Sequence, residues 1–172
     1  VELTDKLPAI VEVLPAGPEQ QPILANLLEL YAHDFSEFHE IEPGPDGRFG
    51  YNDLPLYWSD PNRHAFLLRI DGKLAGFILI KSIPEASHDG PVWDMAEFFV
   101  LRRYRRMRAG MEAAHRVWTD FPGLWQVRVM QSNRGAHRFW HRAIATFTRK
   151  KTESVVVEKE GKLWHYFLFE SA

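Results

Sequence analysis

Between Arg102 and Arg108 stand five arginines in seven residues, with Tyr104 and Met107 among them. Guanidinium groups at that density attract anions, because each carries a permanent charge and a fork of donors. The run follows an apolar, strand-like stretch, Val92 to Leu101, and leads into a helical pattern from Arg108 to Asp120. A strand entering a basic turn and then a helix is a physical recipe for holding phosphate. The first-turn amides have no helical partner and carry partial positive charge. The same arginines would also suit a solvated helix start, their stems covering apolar surface. From the residues alone, both uses stay open.

Two carboxylates, Asp94 and Glu97, lie on the strand just before that turn. Strict alternation sends them to opposite faces, so only one of them would face a cleft. A sheet-face carboxylate paired with an arginine is the ordinary alternative for either. Among eight histidines, His137 and His141 are four apart on a helical pattern, a spacing that can chelate. No acidic residue follows His137 as in the zinc-protease motif, and no third ligand stands nearby, so no metal is expected.

The elements that must carry these groups follow from periodicity. Ile10 to Leu14 reads as a strand, and apolar spacing from Glu19 to about Ala32 reads as a helix. Tyr51 to Trp58 suggests a second, shorter helix inside an acidic, turn-rich stretch. His64 to Ile70 and Leu74 to Ile83 form a hairpin across Asp71-Gly72. Leu124 to Met130 is a strand, and Ser132 or Asn133 caps a helix to about Ala145. Glu153 to Val157 and Leu163 to Phe169 close the chain across Gly161. The order β-α-α-β-β-β-α-β-α-β-β predicts an α/β fold, a mixed sheet with helices on both faces. No linker or repeat divides residues 1–172, so one domain is expected.

Composition narrows the function classes. With 45% hydrophobic and 26% charged residues the chain has ordinary globular composition. The absence of cysteine excludes thiolate metal sites and a cysteine nucleophile. A net charge of -2, with the arginines confined to one turn, argues against a duplex nucleic-acid partner. No apolar run reaches the ~20 residues of a membrane helix and no signal segment is visible, so a cytoplasmic protein is expected.

Residues Met95 to Gly110 resemble motif A of the GNAT N-acyltransferase superfamily: a hydrophobic strand ending in valine, a Tyr-Arg turn, then Arg/Gln-x-x-Gly-x-Gly/Ala. Arg105 matches the leading Arg/Gln and Gly110 the last glycine. Asn133-Arg134-Gly135-Ala136-His137-Arg138-Phe139-Trp140 resembles the Asn-x-x-Ala-x-x-Phe-Tyr pattern of motif B. The element order matches the family fold across nearly the whole chain. The resemblance implies an acetyl-CoA-dependent enzyme transferring an acetyl group directly to a small-molecule amine. It implies that Phe99, Val100 and Leu101 pair their backbone with the pantetheine arm. Amides of Arg105, Arg106, Met107, Arg108, Ala109 and Gly110 would cradle the pyrophosphate. Asn133, Phe139 and Trp140 would line the far side. Amine transfer needs a base or a water chain leading to one, for which the resemblance offers Glu97 and Asp94. A homodimer through the last strands is implied as well.

Two residues depart from the pattern. Arg108 stands where the family has the first loop glycine, which tolerates positive φ and close phosphate approach. It either swings outward to grip phosphate or fills the groove. Trp140 stands where many members carry a tyrosine that protonates the leaving thiolate, and an indole is no practical acid. These departures keep a second reading open, a catalytically degenerate module that binds CoA or another anion. The aromatics Tyr31, Phe35, Phe38, Phe49, Tyr51, Tyr57 and Trp58 either pack the early helices or shape an acceptor pocket. Asp34, Glu37, Glu40 and Glu42 would favour a cationic amine or form a solvated loop.

Overall fold

The early part of the chain follows its patterning closely in the computed structural model, which describes residues 8–84, 90, 92–106 and 108–172. Strand β1 (Val11–Pro15) precedes helix α1 (Gln21–Phe35), and the short α2 (Leu56–Ser59) follows a long loop. The hairpin β2 (Arg63–Ile70) and β3 (Lys73–Ile83) leads to β4 (Val92–Val100), α3 (Ala109–Asp120) and β5 (Gly123–Met130). Helix α4 (Arg134–Thr148) and the hairpin β6 (Val155–Lys159) and β7 (Lys162–Ser171) complete the chain. The element order is the expected one. The second helix is a single turn, because Pro55 and the tyrosine-bearing loop before it occupy the rest of its expected span.

One seven-stranded sheet runs in the order β1-β2-β3-β4-β5-β7-β6. Every neighbouring pair is antiparallel except β4 and β5, which run parallel. Both hairpin turns place two successive residues at positive φ, Asp71 and Gly72 in one, Glu160 and Gly161 in the other. That backbone matches the twist of tight hairpins and fixes their registers. It sets Lys159 opposite Lys162, which moves β6 two residues later than its hydrophobicity suggests.

Two cores form, one on each face of the sheet. Beneath α3 and α4, Trp118, Trp125, Ile144 and Phe167 are fully buried. Beneath α1, Leu24, Leu27 and Leu28 pack on Leu67, Phe77 and Leu79. Gly76 permits the close approach of β3 to β4, since a Cβ there would overlap the Phe99 carbonyl oxygen. No helix among the described residues is long and apolar enough to cross a membrane.

Candidate active site

Strands β4 and β5 pair only from Val92 to Asp94 against Leu124 to Gln126. Beyond Asp94 they part, leaving Met95 to Val100 without a partner on that side. Parting parallel strands expose unpaired backbone donors and acceptors, which an extended ligand arm can satisfy. The splay is the natural place for a site.

A bulge lies in the same segment of β4. Leu79 pairs with Glu97 and Ile80 with Met95, so Ala96 is the extra residue. One inserted residue reverses the alternation after it. Asp94 and Glu97 therefore share the α1 face, contrary to the opposite faces that regular alternation predicts. Met95 and Val100 enter the core beneath α3, while Phe99 enters the core beneath α1.

The two carboxylates have different surroundings. Asp94 is 1% exposed and is held bidentately by Arg128, Nε to Oδ1 at 3.0 Å and NH2 to Oδ2 at 2.7 Å. Gln126 donates a further bond at 3.1 Å. Burial works against the charge on Arg128, but the Asp94 carboxylate beside it outweighs that and raises its pKa. This is a closed, bidentate ion pair. No salt bridge involves Glu97 among the described residues. Desolvation pushes its pKa above the ordinary carboxylate value, against hydrogen bonds from Tyr31 and Tyr51. The Tyr51 hydroxyl donates to Oε1 at 3.2 Å. Burial and the nearby Glu97 charge push both tyrosine hydroxyls well up, so they remain protonated donors. Tyr57, buried beside Tyr51, is raised to about 12 by desolvation, and its hydroxyl is sealed from solvent. Glu29 places this cluster by accepting the Phe49 and Gly50 amides, both at 2.8 Å, which pins the loop that carries Tyr51.

The arginine turn on the other side of the splay divides into two sets. Arg102 and Arg105 each donate to Asp34 on α1 at 2.6 Å, and Arg105 Nε caps the Val100 carbonyl at 2.7 Å. Burial raises the Asp34 pKa, but the two guanidiniums beside it win and hold it lowered. Asp34 is thus a clamp on the turn, not a free recognition charge, whereas Glu37, Glu40 and Glu42 are exposed. Arg103, Arg106 and Arg108 are exposed, and no ion pair involves them among the described residues. Arg106 and Arg108 both take left-handed backbone, at φ 65° and 61°. Arg108 is the N-cap of α3 and adopts the conformation that glycine would take there without strain. Met107 lies outside the described residues.

The acetyltransferase (GNAT) family model matches residues 24–144, well over half of the chain. The chain belongs to the GNAT acetyltransferase family. No curated protein matches the sequence. Among solved structures, an acetyltransferase from Thermus thermophilus is similar at 20% identity and TM-score 0.66, covering 93% of this chain and 96% of that one. Arabidopsis thaliana NAA60, solved with acetyl-CoA, is similar at 14% identity and TM-score 0.60, covering 94% and 98%. The aminoglycoside acetyltransferase AAC(6')-Ib, solved with coenzyme A, is similar at 13% identity and TM-score 0.64, covering 94% and 95%. At these identities the likeness is one of fold.

Within this GNAT frame the remaining expected residues can be placed. The Asn133 side chain accepts the Ala136 amide at 3.0 Å and caps α4, leaving its amide nitrogen as a donor. Phe139 lies against Gly110, where an added Cβ would stand 3.4 Å from the ring. Trp140 points into the core instead, 6% exposed, with its ring 4.9 Å from Phe98 and 6.1 Å from Trp118. Phe99 and Leu101 turn their side chains toward the α1 core, and their backbone faces β3, Phe99 opposite Phe77 and the Leu101 amide bonded to the Ala75 carbonyl at 2.8 Å. His137 contacts Ser154 at 3.3 Å and stacks near His165, and no group of three metal-ligating side chains occurs among the described residues. Sequence reasoning overlooked Arg128 and took the tyrosines chiefly as packing. A hydroxyl in place of phenylalanine at 31, 51 and 57 was the available signal.

Proposed function

We propose that this GNAT protein is an acetyl-CoA-dependent N-acetyltransferase acting on a small-molecule amine, with Glu97 as the base. The observation that carries this reading is the Glu97 carboxylate. It lies on the splayed segment of β4, desolvated, outside any ion pair among the described residues and with tyrosine hydroxyls around it. A carboxylate raised above its usual range is a better proton acceptor from an ammonium group, directly or through one water.

Binding of the co-substrate fits the residues on the opposite side. The α3 amides after Arg108, with Arg103, Arg106 and Arg108 exposed around them, suit a pyrophosphate. Asn133 and the β4 edge left unpaired beyond Asp94 suit an amide-bearing arm, with the Val100 carbonyl already bonded to Arg105. Bound acetyl-CoA supplies an activated acyl group, which the neutral amine attacks at the thioester carbon. The C–N bond forms, the C–S bond breaks, and the amine proton passes toward Glu97. Asp94 acts as a positioning residue through Arg128. Trp140 supplies no proton, so the thiolate departs to solvent or takes a proton from water.

Arg108 already has the backbone of the glycine it replaces, with its side chain exposed, which favours the catalytic reading over a degenerate module. Calorimetry with acetyl-CoA, followed by CoA release against an amine panel, tests the reading. Micromolar binding and amine-dependent release are expected; absence of binding would remove the transferase account.

A further inference from the structure

A concavity on the same α1 face reaches Arg128 of the carboxylate cluster. It has a volume of about 150 Å³ and is lined by His39, Arg128, Lys159, Lys162, Trp164 and Tyr166, with Glu160 the one acid on its rim. Arg128 joins the two places, since the guanidinium that lines this cavity also holds Asp94. A row of rings joins them again: His39 is 5.5 Å from Phe35, which stacks on Tyr31 at 5.9 Å, and Tyr31 bonds Glu97.

Its charges are uneven. Lys162 Nζ lies 2.7 Å from His39 Nδ1, which ties the β6–β7 turn to the loop after α1. No carboxylate pairs with Lys162 or Lys159 among the described residues. With Arg128 paired to Asp94, Lys159 and Lys162 against the single acid Glu160 leave the lining of this aromatic-walled space net positive.

We propose that the acceptor is an amine that also carries an anionic group, a carboxylate or a phosphate, seated against Lys162 and Lys159. The assignment rests on the transferase reading of Glu97. Negative Glu97 would face the amine and the lysines would face the anion, so the site complements a zwitterion end to end. Size agrees with this. At roughly 30 Å³ per water the cavity has room for about five waters, enough for one anionic group and a few carbons. A polycationic sugar would meet the lysines with like charge. The acidic loop residues, which suggested a cationic acceptor, do not oppose this, because Asp34 is consumed by Arg102 and Arg105.

Matched acceptors test the proposal with acetyl-CoA and the full chain. One arm compares free amino acids with their carboxamides, the other O-phosphoethanolamine with ethanolamine. In at least one arm, kcat/KM for the anionic member is expected to exceed its neutral partner by about tenfold or more. The arm with the larger ratio tells carboxylate from phosphate. Lys162→Met should bring the ratio toward one, chiefly through KM, Lys162→Arg should preserve it, and Lys162→Glu should reverse it. Equal use of anionic and neutral amines, or a ratio untouched by Lys162→Met and Lys162→Glu, would overturn the charge assignment while the transferase reading stands. Turnover of neutral amines alone would do the same. Failure to bind acetyl-CoA would instead remove the reading beneath it.

Discussion

The two faces of the sheet at the β4–β5 splay are built from opposite materials. On the α3 and α4 side, Met95, Phe98 and Val100 meet Trp118, Trp125 and Trp140 in a dry aromatic core. Ligand-binding capacity there comes from backbone and from the arginine turn at the rim. On the α1 side, the same strand presents Asp94 and Glu97 to Arg128 and three tyrosines. One bulged residue, Ala96, keeps the two carboxylates together and the hydrophobes on the far side. The general lesson is that a single insertion in a strand can collect the chemistry on one face without disturbing the packing of the other.

Breaking the ion pair should produce the largest effect on stability. Asp94→Ala leaves Arg128 without its partner and should cost about 3–5 kcal/mol in urea unfolding, since removing one member of a buried pair strands the other. On the aromatic face, Trp140→Tyr trades an indole packed on Phe98 and Trp118 for a smaller ring and puts a hydroxyl into that buried core. It should cost about 1–3 kcal/mol and should not raise kcat, which would show that this face has no room for a proton donor. Arg108→Gly should stabilise by about 1 kcal/mol, by relieving left-handed strain, and should leave the fold unchanged by circular dichroism.

The smallest of these effects carries a sign that separates the faces. The Glu97 pKa is raised in the folded state, so the native protein holds this proton more tightly than the unfolded chain does. That stabilisation is complete below the ordinary carboxylate pKa and is lost as pH rises through the folded value. Glu97→Gln should therefore raise Tm relative to the native protein at neutral pH and not in acid. A Tm difference independent of pH would mean that Glu97 is not desolvated.

Most of the architecture was legible because each element has a strong local signal. Asp71-Gly72 fixes a hairpin, Asn133 caps α4, and the apolar spacing of Ile23 to Tyr31 matches α1. The relation between Asp94 and Glu97 was not legible. A bulge leaves the residue types unchanged while reversing which face each side chain takes. Asp34 was read as a free or recognition charge because its partners, Arg102 and Arg105, lie 68 and 71 residues away. A separation of 46 residues likewise hid Tyr51 from Glu97. Arg108 could be flagged as a departure from glycine, but only coordinates reveal its φ.

The base assignment is tested most directly by comparing native protein and Glu97→Gln over a range of pH, with acetyl-CoA affinity measured alongside. Glu97→Gln should lower kcat by about 100-fold with acetyl-CoA affinity little changed. The native acid limb of kcat/KM, set by a group above the usual carboxylate range, should vanish in the variant. A glutamine variant that keeps native kcat, or the same acid limb, would contradict the account.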